Sequence, residues 1–413
     1  MEAVAGLDIG SSRIVAAVAA VSGAKALSDP LAGGVKIGYA CTMGFRKGQV
    51  NDLASLSQCI DEALKTVQAE AGVKVETAYI GFPGHTVEFH KKSSGNVIGK
   101  GRRITPQDIE RVQRLALVSD MPLGRRVIQS LPVEYIVDGS PVVGEPSGLL
   151  CSRLDLESLI VTADNGMMDR LVEAVHKAGV KIADFLPSPM AAGEIVVNRA
   201  ERQLGAALID IGSSSTCITL YNHGNPLGFD VFPLGSDHIT SDLAICLRTT
   251  LEGAEEVKRN IGLAIGERGD ATLAVPRLSG SGHNDILVKT AYSVIEARVC
   301  EILDIAMSSI GRLSGHGDLP GGLILTGGGS MLKGVDVFAS KHTGCKAQLG
   351  YLDPGQYGIK ENEKAANSDL TVNMAGAVGL LRYFLKRSNT EKVIYQSPPD
   401  LWSKVRGIFR VSK

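Results

Sequence analysis

An excess of charge of either sign is missing from this chain. Forty-three basic residues meet 44 acidic ones, for a net charge of −1. No global field therefore draws the protein to nucleic acid or lipid, and any such attraction must be local. Paired cysteines are missing too. Cys41, Cys59, Cys151, Cys217, Cys246, Cys300 and Cys345 are scattered, with no CxxC spacing. That argues against a disulfide framework or a zinc site and fits a reducing compartment. They read as small buried hydrophobes. No uninterrupted apolar run reaches about 18 residues, so no segment reads as a membrane-spanning helix. Nor does a signal peptide open the chain, because the first residues run straight into a strand pattern. Tryptophan occurs once, as Trp402.

What is present is glycine, 48 residues in 413, with a hydrophobic content of 44%. This supports a sizeable core in an α/β chain with many tight turns, and the length suggests two to four domains of about 100–200 residues each. One motif occurs twice: Leu7–Ser12 is LDIGSS and Ile209–Ser214 is IDIGSS. Both copies sit in the same order of elements, strand, turn, strand, strand, helix. In the first copy the third strand falls at about 35–44. Asp52 then caps a helix that turns Leu53, Leu56, Ile60, Leu64 and Val67 inward and stops at Gly72. In the second, a helix from about Ile239 carries Leu243 and Leu247 inward. A fainter echo follows each unit. Pro189–Gly193 (PMAAG) and Asn373–Ala377 (NMAGA) open helices with small residues at helical spacing. Either run alone fits ordinary tight packing; together they predict two closely crossing helices beneath a cleft.

The repeat divides the chain. A first unit covers 1–84 and 163–201, interrupted at 85–162 by a small α+β insertion with a helix from Thr105-Pro106 to about Ser119. A second unit covers 202–235 and 316–387, interrupted by helices at 236–315. Residues 388–399 read as a polar linker and 400–413 as a separate amphipathic helix.

A strand ending in Asp-x-Gly-Ser-Ser sets backbone N–H groups around a tight turn that cradles a phosphate. Gly10, Ser11, Ser12 and Arg13 make one such turn; Gly212, Ser213, Ser214 and Ser215 make the other. Asp8 and Asp210 precede them at strand ends, where a carboxylate holds Mg²⁺ through water. One DIGSS is equally a hairpin turn. Two copies with matching flanks predict a clamp on a nucleotide's phosphates. Leu323–Ser330 (LILTGGGS) is an apolar strand followed by Gly327, Gly328 and Gly329. Read as leading into a helix from about Met331 to Ser340, it lets backbone approach a nucleoside. Glu255 and Lys258 are three apart on one helix face. The carboxylate suits ribose hydroxyls and the lysine stem suits adenine, although a solvated ion pair has the same spacing.

Strand–DxG, strand–DxG and strand–TGGG, in that order, is the pattern of the actin-like ATPase superfamily. Within it the chain resembles the FtsA family of bacterial cell-division proteins over nearly its whole length. The stretches that carry this are LDIGSSRIVA, ITPQDIERV, LPVEYIVDG with GEPSGLLCSRLDL, VTADNGMMDRLVEAVHKAGVKI, FPLGSDHITSDLAICLRTTLEGAEEVKRNIG and LILTGGGSMLKGV. The resemblance implies an α/β, two-lobed actin-like fold of duplicated RNase H-like units around a cleft for ATP and Mg²⁺, with the α+β insertion in the first lobe. It also implies filaments of the chain itself, contact of 236–315 with the C-terminal peptide of FtsZ, and contact with other division proteins. The implied place is the cytoplasmic face of the bacterial inner membrane, at the division site. By position it assigns the two turns to phosphates, Glu255 and Lys258 to ribose and adenine, and Gly327–Gly329 to adenosine.

Two departures stand out. The family usually carries GGGT where this chain has Gly212–Ser215, and an Asp where it has Cys217. Serine side chains would crowd the turn, and an acid near the metal is gone. Binding is expected to survive and hydrolysis to be slow or absent. A pilus-assembly scaffold of the PilM type and a metabolic kinase of the same superfamily are the competing readings.

Residues 400–413 read DLWSKVRGIFRVSK. As a helix they put Leu401, Trp402, Val405, Ile408 and Phe409 on one face, with Lys404, Arg406, Arg410 and Lys413 away from it. That is the pattern of an interfacial helix bound to an anionic membrane; a helix packed on its own body is the alternative. Each cation near an anionic surface contributes about 1 kcal/mol, and ordering a short peptide takes back much of what burial gives. One such helix is a reversible anchor, and a filament presenting many gains avidity.

Overall fold

The computed structural model describes residues 3–19, 31, 34–117, 122–142, 144–264, 270–278, 282–315, 317–359 and 368–391. The segment 400–413 lies outside these residues.

The first lobe is built on a five-stranded sheet. β1 (Ala3–Ile9) pairs antiparallel with β2 (Arg13–Ala19), and β2 with β3 (Val35–Cys41). A short hairpin, β4 (Phe45–Arg46) and β5 (Gln49–Val50), leads into α1 (Leu53–Ala71). The Asp52 carboxylate accepts from the N–H groups of Ala54 and Ser55, and Gly72 ends the helix in the left-handed region, as the sequence predicts. β6 (Val75–Phe82) runs parallel to β1.

The chain then leaves the lobe. β7 (Val87–Arg103), α2 (Pro106–Leu117), β8 (Arg125–Val137), β9 (Ser140–Val142) and β10 (Leu150–Asp164) form a separate antiparallel sheet, ordered β7-β10-β8-β9, with one helix. Ile104, Ile109, Val112, Leu154 and Leu156 give it a core of its own. α3 (Asn165–Lys177) returns to β11 (Lys181–Pro187), parallel to β6, and α4 (Ser188–Val196) and α5 (Arg199–Leu204) lead out.

The second lobe repeats the plan with β12 (Ala206–Ile211), β13 (Thr216–Asn222) and β14 (Asn225–Phe232). α6 (Ser236–Leu247), α7 (Leu251–Ile261), the hairpin β15 (Thr272–Pro276) and β16 (His283–Leu287), and the long α8 (Val288–Ser314) interrupt it. β17 (Leu323–Thr326), α9 (Val335–Thr343), β18 (Ala347–Leu349) and α10 (Ser368–Glu391) complete it. The sheet orders are β3-β2-β1-β6-β11 and β14-β13-β12-β17-β18. Strand senses match at every step: two antiparallel pairs on one side of the first strand, two parallel pairs on the other. The repeat read from six residues is thus a repeat of topology. Among the described residues no helix is long and apolar enough to cross a membrane.

Three helix starts differ from expectation. α6 begins at Ser236 rather than Ile239, because the Gly235 N–H finds His238 Nδ1 at 3.1 Å and starts the turn early. α9 begins at Val335 rather than Met331. A single 3₁₀ turn holds Gly328–Met331, and Gly334 at φ +76° keeps the chain turning until Val335. NMAGA lies inside α10, which starts at Ser368, rather than opening it.

The predicted crossing of small-residue helices is present. α10 leaves the second lobe and lies on β1, β2 and β6 of the first, against α4. At the crossing, a Cβ on Gly379 would stand 1.9 Å from the Ala191 carbonyl oxygen. Backbone meets backbone here, so no rotamer change can make room. Replacing a helix-interior glycine by alanine ordinarily gains about 1 kcal/mol. Gly379→Ala is expected to reverse that sign and cost about 1–3 kcal/mol, the usual range for overpacking. Chemical denaturation of the two proteins checks this, and equal or greater stability of the variant would show that the crossing yields.

Candidate functional site

A cleft of about 760 Å³ opens where the two sheets face each other. Its wall brings together Asp8 with Gly10–Arg13, Asp210 with Gly212–Ser215, Glu255 and Lys258, and Gly327 and Gly328. Gly329 is not on the wall. It is buried behind it, where a Cβ would meet Ile211 Cγ2 at 2.4 Å.

The two turns close alike. The Gly10 N–H donates to the Arg13 carbonyl at 3.0 Å and the Gly212 N–H to the Ser215 carbonyl at 2.9 Å. Each turn also has its outer carbonyls tied back by the segment after its third strand. Thr42 Oγ1 and N–H donate to Gly10 and Ser12 oxygens at 2.8 and 3.1 Å. The Ser236 and Asp237 N–H groups donate to Gly212 and Ser213 oxygens at 2.9 and 2.8 Å. With the carbonyls engaged, the N–H groups of Ser11, Ser12, Ser213 and Ser214 have no carbonyl partner among the described residues. None of Ser213, Ser214 and Ser215 takes a left-handed backbone, so the turn never needs a glycine there. Ser11 Oγ and Arg13 Nη1 are buried with no partner among the described residues, while the Arg13 guanidinium carbon lies 5.8 Å from the Tyr39 ring centre.

Asp8 and Asp210 are matching residues of matching strands. Burial pushes the Asp8 carboxyl up to about 6, against a hydrogen bond from the Ser188 hydroxyl. Burial pushes Asp210 up to about 7, and the charge of Asp8 adds to it. No ion pair to either is found among the described residues. Two carboxyl groups raised by burial, with no ion pair among the described residues, suit a divalent ion held through water. No cluster of three or more metal-ligating side chains exists among the described residues, so ligands beyond these two would come from water and phosphate.

Gly327 needs both of glycine's freedoms. Its φ is +81°, and a Cβ there would stand 2.2 Å from Asp210 Oδ1. Gly328 lines the cleft, and a Cβ there would meet Asn373 Oδ1 at 3.8 Å, an ordinary contact. Lys258 is buried and fully engaged. Its Nζ lies 2.5 Å from Glu255 Oε2, 2.8 Å from Thr240 Oγ1 and 3.3 Å from the Ser236 carbonyl. Burial pushes Glu255 up, but Lys258, Thr240 and Arg259 together hold it below the ordinary carboxylate range. The pair is therefore not a solvated surface pair but a fixed post at the cleft wall.

Cys217 sits directly across from Asp210 in the β12–β13 register, as Val15 sits across from Asp8. Its thiol packs against the first lobe. A Cβ on Gly84 would stand 2.5 Å from Cys217 Sγ and 3.4 Å from the Phe229 ring. Phe229 stacks on Phe89 of β7 with ring centres 4.0 Å apart. Burial and the Asp210 charge push the thiol well above its usual range.

Several cleft residues escaped sequence reasoning: Ser188, which holds Asp8; Pro83 and Gly84; Asp237; and Gly376, packed on Asp8. The Ser-Pro start of α4 is a helix-opening signal, but nothing local shows that it opens beside Asp8.

Two lobes of one strand order, closing like turns on one cleft, define an actin-like fold. Solved structures share it. The PilM–PilN type IV pilus biogenesis complex superposes with TM-score 0.66 at 19% identity, covering 94% of this chain and 98% of that one. MreB5 of Spiroplasma citri bound to ADP superposes with TM-score 0.55 at 11% identity, covering 96% and 99%. Sequence separates these neighbours from closer kin. Profiles described as "Cell division protein FtsA" and "SHS2 domain inserted in FTSA" match residues 207–374 and 84–162. Cell division protein FtsA of Bacillus subtilis is 31% identical over 332 residues, 80% of this chain and 74% of that protein. That of Pseudomonas aeruginosa is 29% identical over 389 residues, 94% and 90%. The chain belongs to the FtsA family of cell-division proteins. PilM is a neighbour in fold only.

The raised Asp210 gives a signed prediction. A carboxyl whose folded pKa lies near 7 against 3.8 costs nothing below 3.8. Its cost grows as pH rises between the two values and is complete above the higher one. Without nucleotide or divalent ion, Asp210→Asn is expected to be more stable than wild type by about 2 kcal/mol at pH 8, a figure discounted from 1.36 kcal/mol per pH unit. The two proteins should converge near pH 4. Melting curves across pH test this; a variant less stable at pH 8 would mean that the carboxylate has a partner in the folded protein.

Proposed function

We propose that this chain binds ATP with Mg²⁺ in the cleft between its lobes, and that it ties FtsZ filaments to an anionic membrane. The observation that carries the nucleotide reading is the matched pair of turns with their carbonyls tied back, beside two buried carboxyl groups that have no ion pair among the described residues. Gly10–Arg13 and Gly212–Ser215 take the phosphates. Asp8 and Asp210 would hold Mg²⁺ through water, the ion neutralising phosphate charge. Glu255 accepts from ribose hydroxyls, the buried Lys258 stem and the Gly327–Gly328 backbone flank the nucleoside, and Gly329 supports that loop from behind. MreB5 structures described as bound to ADP and to AMPPNP share the fold. Turnover is slow or absent, because Cys217 offers a buried, neutral thiol where relatives usually keep an acid.

Partner binding follows family membership. A groove of about 690 Å³ lies between α6 and α8, inside 236–315. Ile245 and Leu287 are exposed there, and Asp242, Lys289, Arg298 and Glu301 supply charges of both signs. An extended FtsZ C-terminal peptide with apolar and charged side chains fits such a lining. Leu401, Trp402, Val405, Ile408 and Phe409 enter the lipid interface, with Lys404, Arg406 and Arg410 on the headgroups. Filaments of the chain multiply these weak anchors at the division site on the cytoplasmic face, where other division proteins are recruited.

Two experiments decide. Titration of a fluorescent ATP analogue is expected to show at least tenfold weaker binding by Asp210→Ala, a loss of about 1.4 kcal/mol or more. Unchanged affinity would remove the second turn from the site. Deletion of 400–413 is expected to leave nucleotide affinity intact and abolish sedimentation with anionic liposomes; persistent sedimentation would remove the tether.

A further inference from the structure

Where the insertion meets both lobes lies a groove of about 480 Å³, apart from the cleft and from the groove between α6 and α8. Five elements supply its apolar lining: Ile109 from α2, Leu131 from β8, Met190 from α4, Pro226 from β14 and Tyr383 from α10. Its charged lining is Glu110, Glu145, Glu194 and Arg202. Arg202 is committed to Glu194, Nη1 to Oε1 at 2.7 Å. Glu110 meets Arg114 on its own helix at 2.9 Å. Lys386 Nζ also reaches Glu194, 3.6 Å from Oε2, so the exposed Glu145 is the lining carboxylate with no ion pair among the described residues.

We infer that this groove seats the chain's own segment 400–413 when no membrane competes for it. The inference rests on reading that segment as an amphipathic helix. Chemistry selects it. Its apolar face, led by Trp402, matches the apolar floor, and Lys404, Arg406, Arg410 and Lys413 against a single Asp400 supply cations for Glu145 at the rim. Reach permits it. From Tyr383 in the groove, α10 runs on to Glu391, about 12 Å at 1.5 Å per residue. Residues 392–400 span up to about 30 Å when extended, more than enough to return. Exclusion gives it a consequence. One apolar face cannot lie in the groove and in lipid at once, so seating holds the segment off the membrane. Because α2, α4, β14 and α10 belong to different parts of the molecule, a shift of lobes or insertion reshapes the seat and releases the segment.

Trp402 is the only tryptophan, so the emission of the full chain reports this segment alone. Lipid-free protein is expected to emit to the blue of a free 400–413 peptide, at a wavelength independent of protein concentration. Ile109→Lys in the floor and Glu145→Lys at the exposed lining are both expected to restore the emission of the free peptide. Both should also strengthen liposome binding several-fold, since apparent affinity scales with the fraction of chains already competent. Glu145 is exposed, so its variant keeps the test valid should the buried Ile109 change unfold the insertion. Emission already matching the free peptide, or a blue shift that the Glu145 variant leaves in place, overturns the seat. A blue shift that grows with concentration overturns it in favour of a second copy. Failure of the free peptide itself to sediment with liposomes overturns the membrane reading instead, and the emission data still decide the groove.

Discussion

Two buried carboxyl groups share one cleft. Asp8 and Asp210 occur at equivalent strand ends of two lobes; burial raises both, and the charge of Asp8 raises Asp210 further. Ser188 and Gly376 close on the first, and Gly327 closes on the second. Such a pair is unfavourable by itself, since desolvation and a neighbouring charge of the same sign both oppose ionisation. Whatever neutralises it stabilises the arrangement of the lobes that holds it, so ligand and conformation are linked by mass action.

The lobes are joined by interlocked packing more than by the connecting chain. Cys217 and Phe229 belong to the second lobe's sheet but pack in the first lobe's core. α10 follows the second lobe's last strand yet lies on the first lobe's sheet. The insertion is pinned as well. Arg125 donates to the carbonyls of Thr86 and Thr162 at 3.1 and 3.0 Å and pairs with Glu88. Asn225 of the second lobe reaches the Val133 carbonyl of the insertion at 3.2 Å. A change at the cleft therefore has packed routes to the insertion and the groove beside it.

Much of this was legible beforehand, and the reason is locality. The Asp52 cap, the Gly72 stop and the strand–turn–strand units each depend on neighbours within a few residues. The duplication was visible because both copies solve the same local problem, a strand that must end in an anion-holding turn. Glu255 and Lys258 could be paired from helical spacing alone. Their burial could not, since it depends on Thr240 and Ser236 of another helix.

The sequence by itself determined the elements, their repetition and the residue types of the clamp, because periodicity, capping and turn chemistry act over short separations. Tertiary structure alone decided which of those residues meet. It set Gly329 behind the wall while Gly328 faces the cleft, placed Ser188 on Asp8, and turned Cys217 into the neighbouring lobe. These outcomes depend on contacts between segments that are distant in the chain, where a single close approach, such as that of Gly379 to Ala191, selects one packing among many that the same local patterns allow.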